Sequence, residues 1–418
     1  MPFIRNEQVG DEKVRIYDKP TDMFTLARDV VKSRTNNDAF ILVSLDALNE
    51  RLALWKKELP RVEPFYAIKA NADDVFVRWI ALLGLGFDAA SEGEIVMAIM
   101  AGASPEKILY AHSIKEAHMI EFADRKKVNV MTFDTVEELD KMIAHHRHPV
   151  LILRITPKSY ADADCPANLK FGADPVTLAP KILERARELG VNVCGISFHT
   201  GADCKDVGVF SVALQHTRNL FEIGARLGHK MNLVDMGGGF PGNEGDTEAF
   251  CKIADEIRVA IDKHFPDPAV RLIAEPGKFF STAPFSVVTT VIGATRVPAH
   301  KITQNPADAN RDGYVYYLND GVYGTFSGVF SNHFHSVGQT LLEGTAEEYP
   351  TTIWGPTCSG LDRIEISRTM RKLNVGDRVL YNDMGAYSTV ASTYFNGFNA
   401  PSAEYVASEE AWASLNHP

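Results

Sequence analysis

Short apolar runs of strand character alternate with amphipathic stretches through the first two thirds of the chain, and this rhythm limits the folds open to it. Eight runs stand out: PFYAIKA (64–70), GFDAAS (86–91), ILYAH (108–112), NVMTF (129–133), VLILRI (150–155), GISFHT (195–200), LVDMGGGF (233–240) and LIAEP (272–276). Between them, VRWIALLGL (77–85), GEIVMAIMAGA (93–103) and VEELDKMIAHH (136–146) carry apolar residues at helical spacing. Strand and helix in alternation build a parallel sheet, because each crossover helix brings the chain back in the same direction. Eight such units fit a closed (β/α)8 barrel. An open doubly wound sheet fits the same periodicity, and the rhythm alone leaves both readings standing.

After Pro276 the texture changes. FSVVTTVIGATRV (285–297), GYVYYLND (313–320), TTIWG (351–355) and DRVLYND (377–383) are β-branched or aromatic runs separated by turn residues. They read as a second, mostly antiparallel β-domain. FILVSL (40–45) precedes the first barrel helix, so the N-terminal segment is expected to join that domain. The expected division is an N-terminal segment 1–43, a barrel 44–283 and a β-domain 284–418. TQNPADANRDG (303–313) reads as an exposed, mobile loop. KSYADADCPANLKFGAD (158–174) breaks the barrel rhythm, and loops of that length are often functional.

Composition narrows the function classes. A chain of 418 residues, 45% apolar, is long enough for two cores. Its net charge of −11 disfavours nucleic acid and anionic membrane as partners. The five cysteines, 165, 194, 204, 251 and 358, form no CxxC pair and are odd in number. Neither a zinc ribbon nor a disulfide framework is expected, nor any other metal. The N-terminus lacks the apolar core of a secretory signal, and no apolar run is long enough to span a bilayer. A reducing, cytoplasmic setting is expected.

The residues with chemical potential stand at the ends of the strand-like runs, where barrels of this kind place their sites. Lys69 ends FYAIKA. It reads either as a lysine snorkelling at a strand end or as a desolvated amine suited to imine formation. Gly237, Gly238 and Gly239 follow LVDM, either as a tight turn or as backbone N–H groups offered to a phosphate. Glu275, in AEPG, fits a structural ion pair or the partner of a cationic pyridine nitrogen. His199, in SFHTG, fits a satisfied core histidine, or a ring that stacks on a flat cofactor or carries a proton. Asp88, Glu94 and Arg154 add charge at the same rim. One charge at a strand end means little; six at successive ends suggest a site.

In this order, FYAIKAN, FDAASEGEI, SFHTG, DMGGGFPG, AEPG, NDGVYGTF, WGPTCSGLDRI, NDMGAYS and FNGF closely resemble the eukaryotic-type ornithine decarboxylase family, pyridoxal-phosphate enzymes of alanine-racemase-like fold. The resemblance runs from about Phe40 to Phe398. It implies pyridoxal 5′-phosphate as cofactor, with Lys69 as the Schiff-base lysine, His199 stacked on the ring and Glu275 on the pyridine nitrogen. Asp88, Glu94 and Arg154 join the cofactor set. Gly237, Gly238, Gly239, Lys278 and Tyr387 match phosphate-binding positions. Cys358 matches a cysteine supplied by a second subunit that directs protonation after carbon dioxide leaves. Tyr323, Phe395, Asn332 and Ser359 fall at substrate-contacting motifs. The family is a head-to-tail homodimer, with Lys170 and Asp362 matching a pair that bridges its subunits.

Four positions depart from the family. Ser359 and Asn332 replace two aspartates that grip the distal ammonium of ornithine, Ala202 replaces a serine, and Lys278 replaces an arginine. A buried ammonium without a carboxylate costs several kcal/mol. The expected activity is therefore decarboxylation of an amino acid whose tail is neutral, zwitterionic or otherwise unlike ornithine, in the direction of specialised amine metabolism. Two alternatives remain. One is an ordinary ornithine decarboxylase making putrescine, with Asp203 or Asp383 compensating. The other is a non-catalytic relative that binds the regulator antizyme.

Overall fold

The computed structural model describes residues 3–157, 170–201, 208–331 and 336–415. Its eight barrel strands are, in chain order, Val62–Ala67, Gly86–Ala89, Ile108–Tyr110, Val130–Phe133, Val150–Ile155, Val193–Phe198, Leu233–Asp235 and Arg271–Ala274. Each overlaps one of the eight apolar runs. All neighbours pair in parallel, and the eighth strand returns to the first, with Leu272 opposite Val62 and Ala274 opposite Pro64. That closure decides against the open sheet, because no edge remains.

The barrel interior is a packed layer. Phe65, Leu109, Ile152 and Leu233, from the first, third, fifth and seventh strands, form one buried cluster. Four side chains from alternate strands are what a barrel of this tilt accommodates in one level. The helices start where short polar side chains cap them. Asp73, Ser91 and Thr135 accept the N–H groups of Phe76, Glu94 and Glu138, each worth about 1 kcal/mol. Trp55 anchors the outer layer among Phe240, Phe250, Phe279 and Phe280, and its ring N–H donates to the Val62 carbonyl at 2.8 Å.

The chain divides into two compact units, 50–280 and 1–49 with 281–417. The second is built on a ten-stranded sheet. Its main path runs Phe3–Val9, Glu12–Tyr17, Ser402–Ser408, Phe40–Ser44, Phe285–Pro298, Asp312–Leu318, Glu348–Trp354 and Arg363–Arg371. Most pairings are antiparallel. Ser402–Ser408 is parallel to both neighbours, as is Asp312–Leu318 to Glu348–Trp354. Phe40–Ser44 pairs with Phe285–Pro298 here.

The stretch 303–313 is mostly exposed, as its polar composition suggests, around one buried carboxylate. Asp308 is buried, and it accepts from the Thr303 hydroxyl at 2.8 Å and from Arg311 at 2.7 Å. A polar sequence closes on itself when its own carboxylate can satisfy its own donors. Among the described residues, no helix is long and apolar enough to cross a membrane, and no metal-ligand cluster is found.

Candidate active site

The first barrel strand ends at Ala67, and Ile68–Ala70 make one 3-10 turn. Ile68 and Ala70 are buried, so the turn rolls Lys69 outward at the C-terminal mouth. The sequence leaves Lys69 open between a strand-end lysine and a desolvated amine. Its side chain is 36% exposed, and Nζ donates to Asp88 Oδ2. Asp88, on the second strand, is 0% exposed, and its other oxygen has no hydrogen-bond partner. A buried carboxylate with one free oxygen is costly, and such groups cluster where a ligand completes them.

Glu94 reaches back from the first turn of its helix, accepting the Ala90 N–H at 2.5 Å. With Ser91 as cap, this is close to a reciprocal capping arrangement. Burial raises its carboxyl above the usual range, although the Ala90 N–H works against that. Its influence on Lys69 is electrostatic. Arg154, on the fifth strand, lies over the Phe171 ring at 5.3 Å.

His199 follows the sixth strand. Its Nδ1 accepts the Gly201 N–H at 2.9 Å, so the ring proton sits on Nε2. Burial, then Arg154, holds the imidazole far below its ordinary 6.5. A neutral, pinned ring suits stacking and does not suit proton carriage near neutrality. The stability consequence has a definite sign. Below pH 6.5 the unfolded histidine takes up a proton that the folded one refuses, so stability is full above that pH and falls as pH drops. His199→Gln is expected to flatten the loss between about pH 6.5 and pH 5, as read by thermal unfolding.

The glycine run follows the seventh strand. Gly237 has φ +59, and a side chain there collides with the Phe198 carbonyl; a Cβ on Gly238 lies 2.8 Å from His199 Nε2. Gly237 gives its N–H to Asp235 Oδ1 at 3.0 Å, and the Gly238 backbone packs close to the histidine ring. Gly237→Ala is expected to destabilise the protein by about 2 kcal/mol or more and to weaken cofactor affinity, read by unfolding and cofactor titration. Glu275 follows the eighth strand, fully buried, and burial holds its carboxyl well above the usual range. Lys278 is half-buried in the short helix Gly277–Ser281. Lys69, Asp88, Arg154, His199, the glycines and Glu275 thus stand toward the C-terminal ends of the first, second, fifth, sixth, seventh and eighth strands of one barrel. Ala202, Asp203, Asn332, His333 and His335 and most of the 158–174 stretch lie outside the described residues.

A second group assembles within the β-rich unit. The Tyr323 hydroxyl and Ser359 Oγ are 2.8 Å apart, and the Tyr323 ring packs on Phe395 at 4.5 Å and Phe330 at 5.4 Å. Cys358 is exposed beside them, its N–H donating to Asn396 Oδ1 at 2.9 Å. The carboxylates flanking these loops are occupied. Asp320, raised to about 6 by burial, accepts from Thr325 and from Gly321 N–H. Asp362 accepts from Val322 N–H at 2.8 Å and from Thr357 N–H and Oγ1 at 2.9 and 2.6 Å. Asp383 is half-buried with φ +57, and Tyr387 has φ +55. Left-handed backbone at bulky residues clusters at functional sites.

Residues 45–282 match the family model described as pyridoxal-dependent decarboxylase, pyridoxal binding domain. The chain is 49% identical over 413 residues to the ornithine decarboxylase of Caenorhabditis elegans, covering 98% of this chain and 97% of that protein. The chain belongs to the ornithine decarboxylase family. It is therefore a pyridoxal-phosphate-dependent decarboxylase. Antizyme inhibitor 2 of Xenopus laevis is 36% identical, covering 93% of this chain and 87% of that one. The Paramecium bursaria Chlorella virus arginine decarboxylase bound to agmatine superposes with a TM-score of 0.84 at 31% identity, covering 92% of this chain and all of the other.

The barrel residues fit the family's cofactor. An amine paired with a carboxylate stands at the mouth, a neutral imidazole lies beside a run of glycine N–H groups, and a buried carboxyl faces in from the eighth strand. The free oxygen of Asp88 is a further unsatisfied group in this bowl. Two residues escaped the sequence reading. Ser197 and Asp235 stand opposite each other on the sixth and seventh strands, with Ser197 Oγ donating to Asp235 at 2.8 Å. An acidic residue closing an otherwise apolar strand, LVD, was the available signal.

Proposed function

We propose that this family member decarboxylates an amino acid whose side chain does not end in a free ammonium. The observation that carries the reading is the Ser359 hydroxyl, which stands in place of a carboxylate and is already taken up by Tyr323. Asn332 removes the second carboxylate at the level of sequence. Asp320 and Asp362 are committed to their own loops, so neither substitutes. An unpaired ammonium in such a pocket loses several kcal/mol, or two to three orders of magnitude in affinity.

Pyridoxal phosphate, when bound, accepts the electron pair of the breaking Cα–carboxylate bond. The chain supplies the rest. Lys69 Nζ anchors the cofactor, and Asp88 holds that amine in place beforehand. His199 offers a flat neutral face. Glu275 offers a carboxyl to the pyridine nitrogen, Gly238 and Gly239, with Lys278, receive the phosphate, and Arg154 joins the cofactor set; the family resemblance gives Gly237 and Tyr387 phosphate-binding positions as well. Cys358 delivers a proton to Cα. In this reading Cys358, Ser359, Tyr323 and Phe395 complete the barrel mouth of a second copy in a cytoplasmic homodimer. The antizyme-binding alternative is not favoured, because a non-catalytic chain has no use for the Lys69–Asp88 pair.

Ornithine as substrate is the second reading, favoured by the 49% identity to a protein of that name over nearly the full chain. Spectral titration of the holoenzyme tests the choice. Norvaline or glutamine is expected to perturb the cofactor band at concentrations at least about 100-fold below those needed for ornithine. Tighter binding of ornithine overturns the proposal.

A further inference from the structure

Two carboxyls meet where the seventh and eighth barrel strands end. Asp235 is 0% exposed and Glu275 is 5% exposed. The Gly237 N–H donates to Asp235 and the Gly237 carbonyl accepts the Glu275 N–H, which brings the two buried carboxyls close together, and such a pair keeps a proton on one member. The other partners decide which. Asp235 accepts from Ser197 Oγ at 2.8 Å and from the Gly237 N–H at 3.0 Å. Both donors favour the anion on Asp235, so Glu275 keeps the proton. The Glu275 N–H in turn donates to the Gly237 carbonyl at 2.6 Å. One residue, Gly237, therefore ties both acidic segments together. Burial raises both carboxyls, Glu275 the more. The charges facing the pair are Asp88 from the second strand and Lys69 from the end of the first. His199, from the sixth, is neutral.

We propose that Asp235, held by Ser197 and Gly237, is a positioning residue that fixes the Glu275 carboxyl for the pyridine nitrogen of the cofactor. The inference rests on the role that the family resemblance gives Glu275. It is independent of the substrate, since its readouts contain none.

The first readout is the apoprotein. Glu275 is raised in the fold from an ordinary 4.5. The folded chain therefore keeps a proton that the unfolded chain releases, and stability is full below pH 4.5 and declines as pH rises through the folded value. Asp235→Asn is expected to shrink that decline above pH 4.5, and Ser197→Ala to change it less. Glu275→Gln should remove the same slope, and the double variant no more than either single one. The second readout is the pH titration of the cofactor's visible band in the holoenzyme, expected to be displaced in both the Asp235 and Ser197 variants. A uniform drop in stability at every pH, with an unmoved band, overturns the proposal. Should Asp235→Asn fail to fold, Ser197→Ala alone decides: an unchanged slope and band in that variant are equally fatal.

Discussion

Lys69→Ala is expected to lower kcat for decarboxylation by at least about 10⁴-fold, a barrier increase of about 5.5 kcal/mol. The 3-10 turn Ile68–Ala70 presents Nζ at the barrel mouth, paired with Asp88. Alanine deletes the amine while its buried neighbours Ile68 and Ala70 keep the turn in place. The loss should therefore be chemical more than structural. Asp88 is left buried with neither oxygen held by the lysine. A full buried pair is worth about 3–5 kcal/mol, but a third of the lysine is exposed to solvent. A stability cost of about 1–2 kcal/mol is accordingly expected. Steady-state carbon dioxide release beside a thermal unfolding curve separates the two effects. Retained turnover would show that another amine anchors the cofactor.

The second large effect is a gain. Asn332→Asp combined with Ser359→Asp is expected to raise kcat/KM for ornithine by about 10²- to 10³-fold, through two new carboxylates for the distal ammonium. Ser359→Asp also breaks the Tyr323–Ser359 hydrogen bond. The stack of Tyr323 on Phe395 and Phe330 keeps the ring in place. If the proposed uncharged-tail substrate is the natural one, the same double variant should lose activity on it, since burying two carboxylates against an uncharged tail costs their desolvation. Activity on ornithine that does not rise in the double variant would place the specificity elsewhere, and the kcat and KM components show whether binding or chemistry is limiting.

Much of this was readable from sequence because barrel strands buried on both faces appear as bare apolar runs. The run VLILRI (150–155) shows this: Leu151, Ile152, Leu153 and Ile155 are all buried, Val150 is exposed where the strand begins, and Arg154 is half-buried near its other end. Closure was not readable, since it depends on Leu272 meeting Val62 across 210 residues, and periodicity carries no such information. The candidate residues at strand ends were legible by position. Their states were not. Lys69 reads from sequence either as a strand-end lysine or as a desolvated amine, and it is paired and partly exposed, because a turn of only three residues decides which way it faces. The Asp235–Glu275 pair was invisible for the same reason: a carboxyl's meaning depends on the donors around it, here a serine one strand away. The loop 303–313 is mostly exposed, as its composition indicates, but the contacts of Asp308 inside it were not legible, because polar composition does not show when a chain satisfies its own donors.

The central claim concerns what the pocket accepts. It is tested most directly by measuring carbon dioxide release from the purified holoenzyme, under subsaturating conditions, with ornithine and with amino acids of similar length and uncharged tails. A kcat/KM for ornithine at least about 100-fold below that of the best uncharged substrate is the predicted result. Ornithine leading the panel would contradict it.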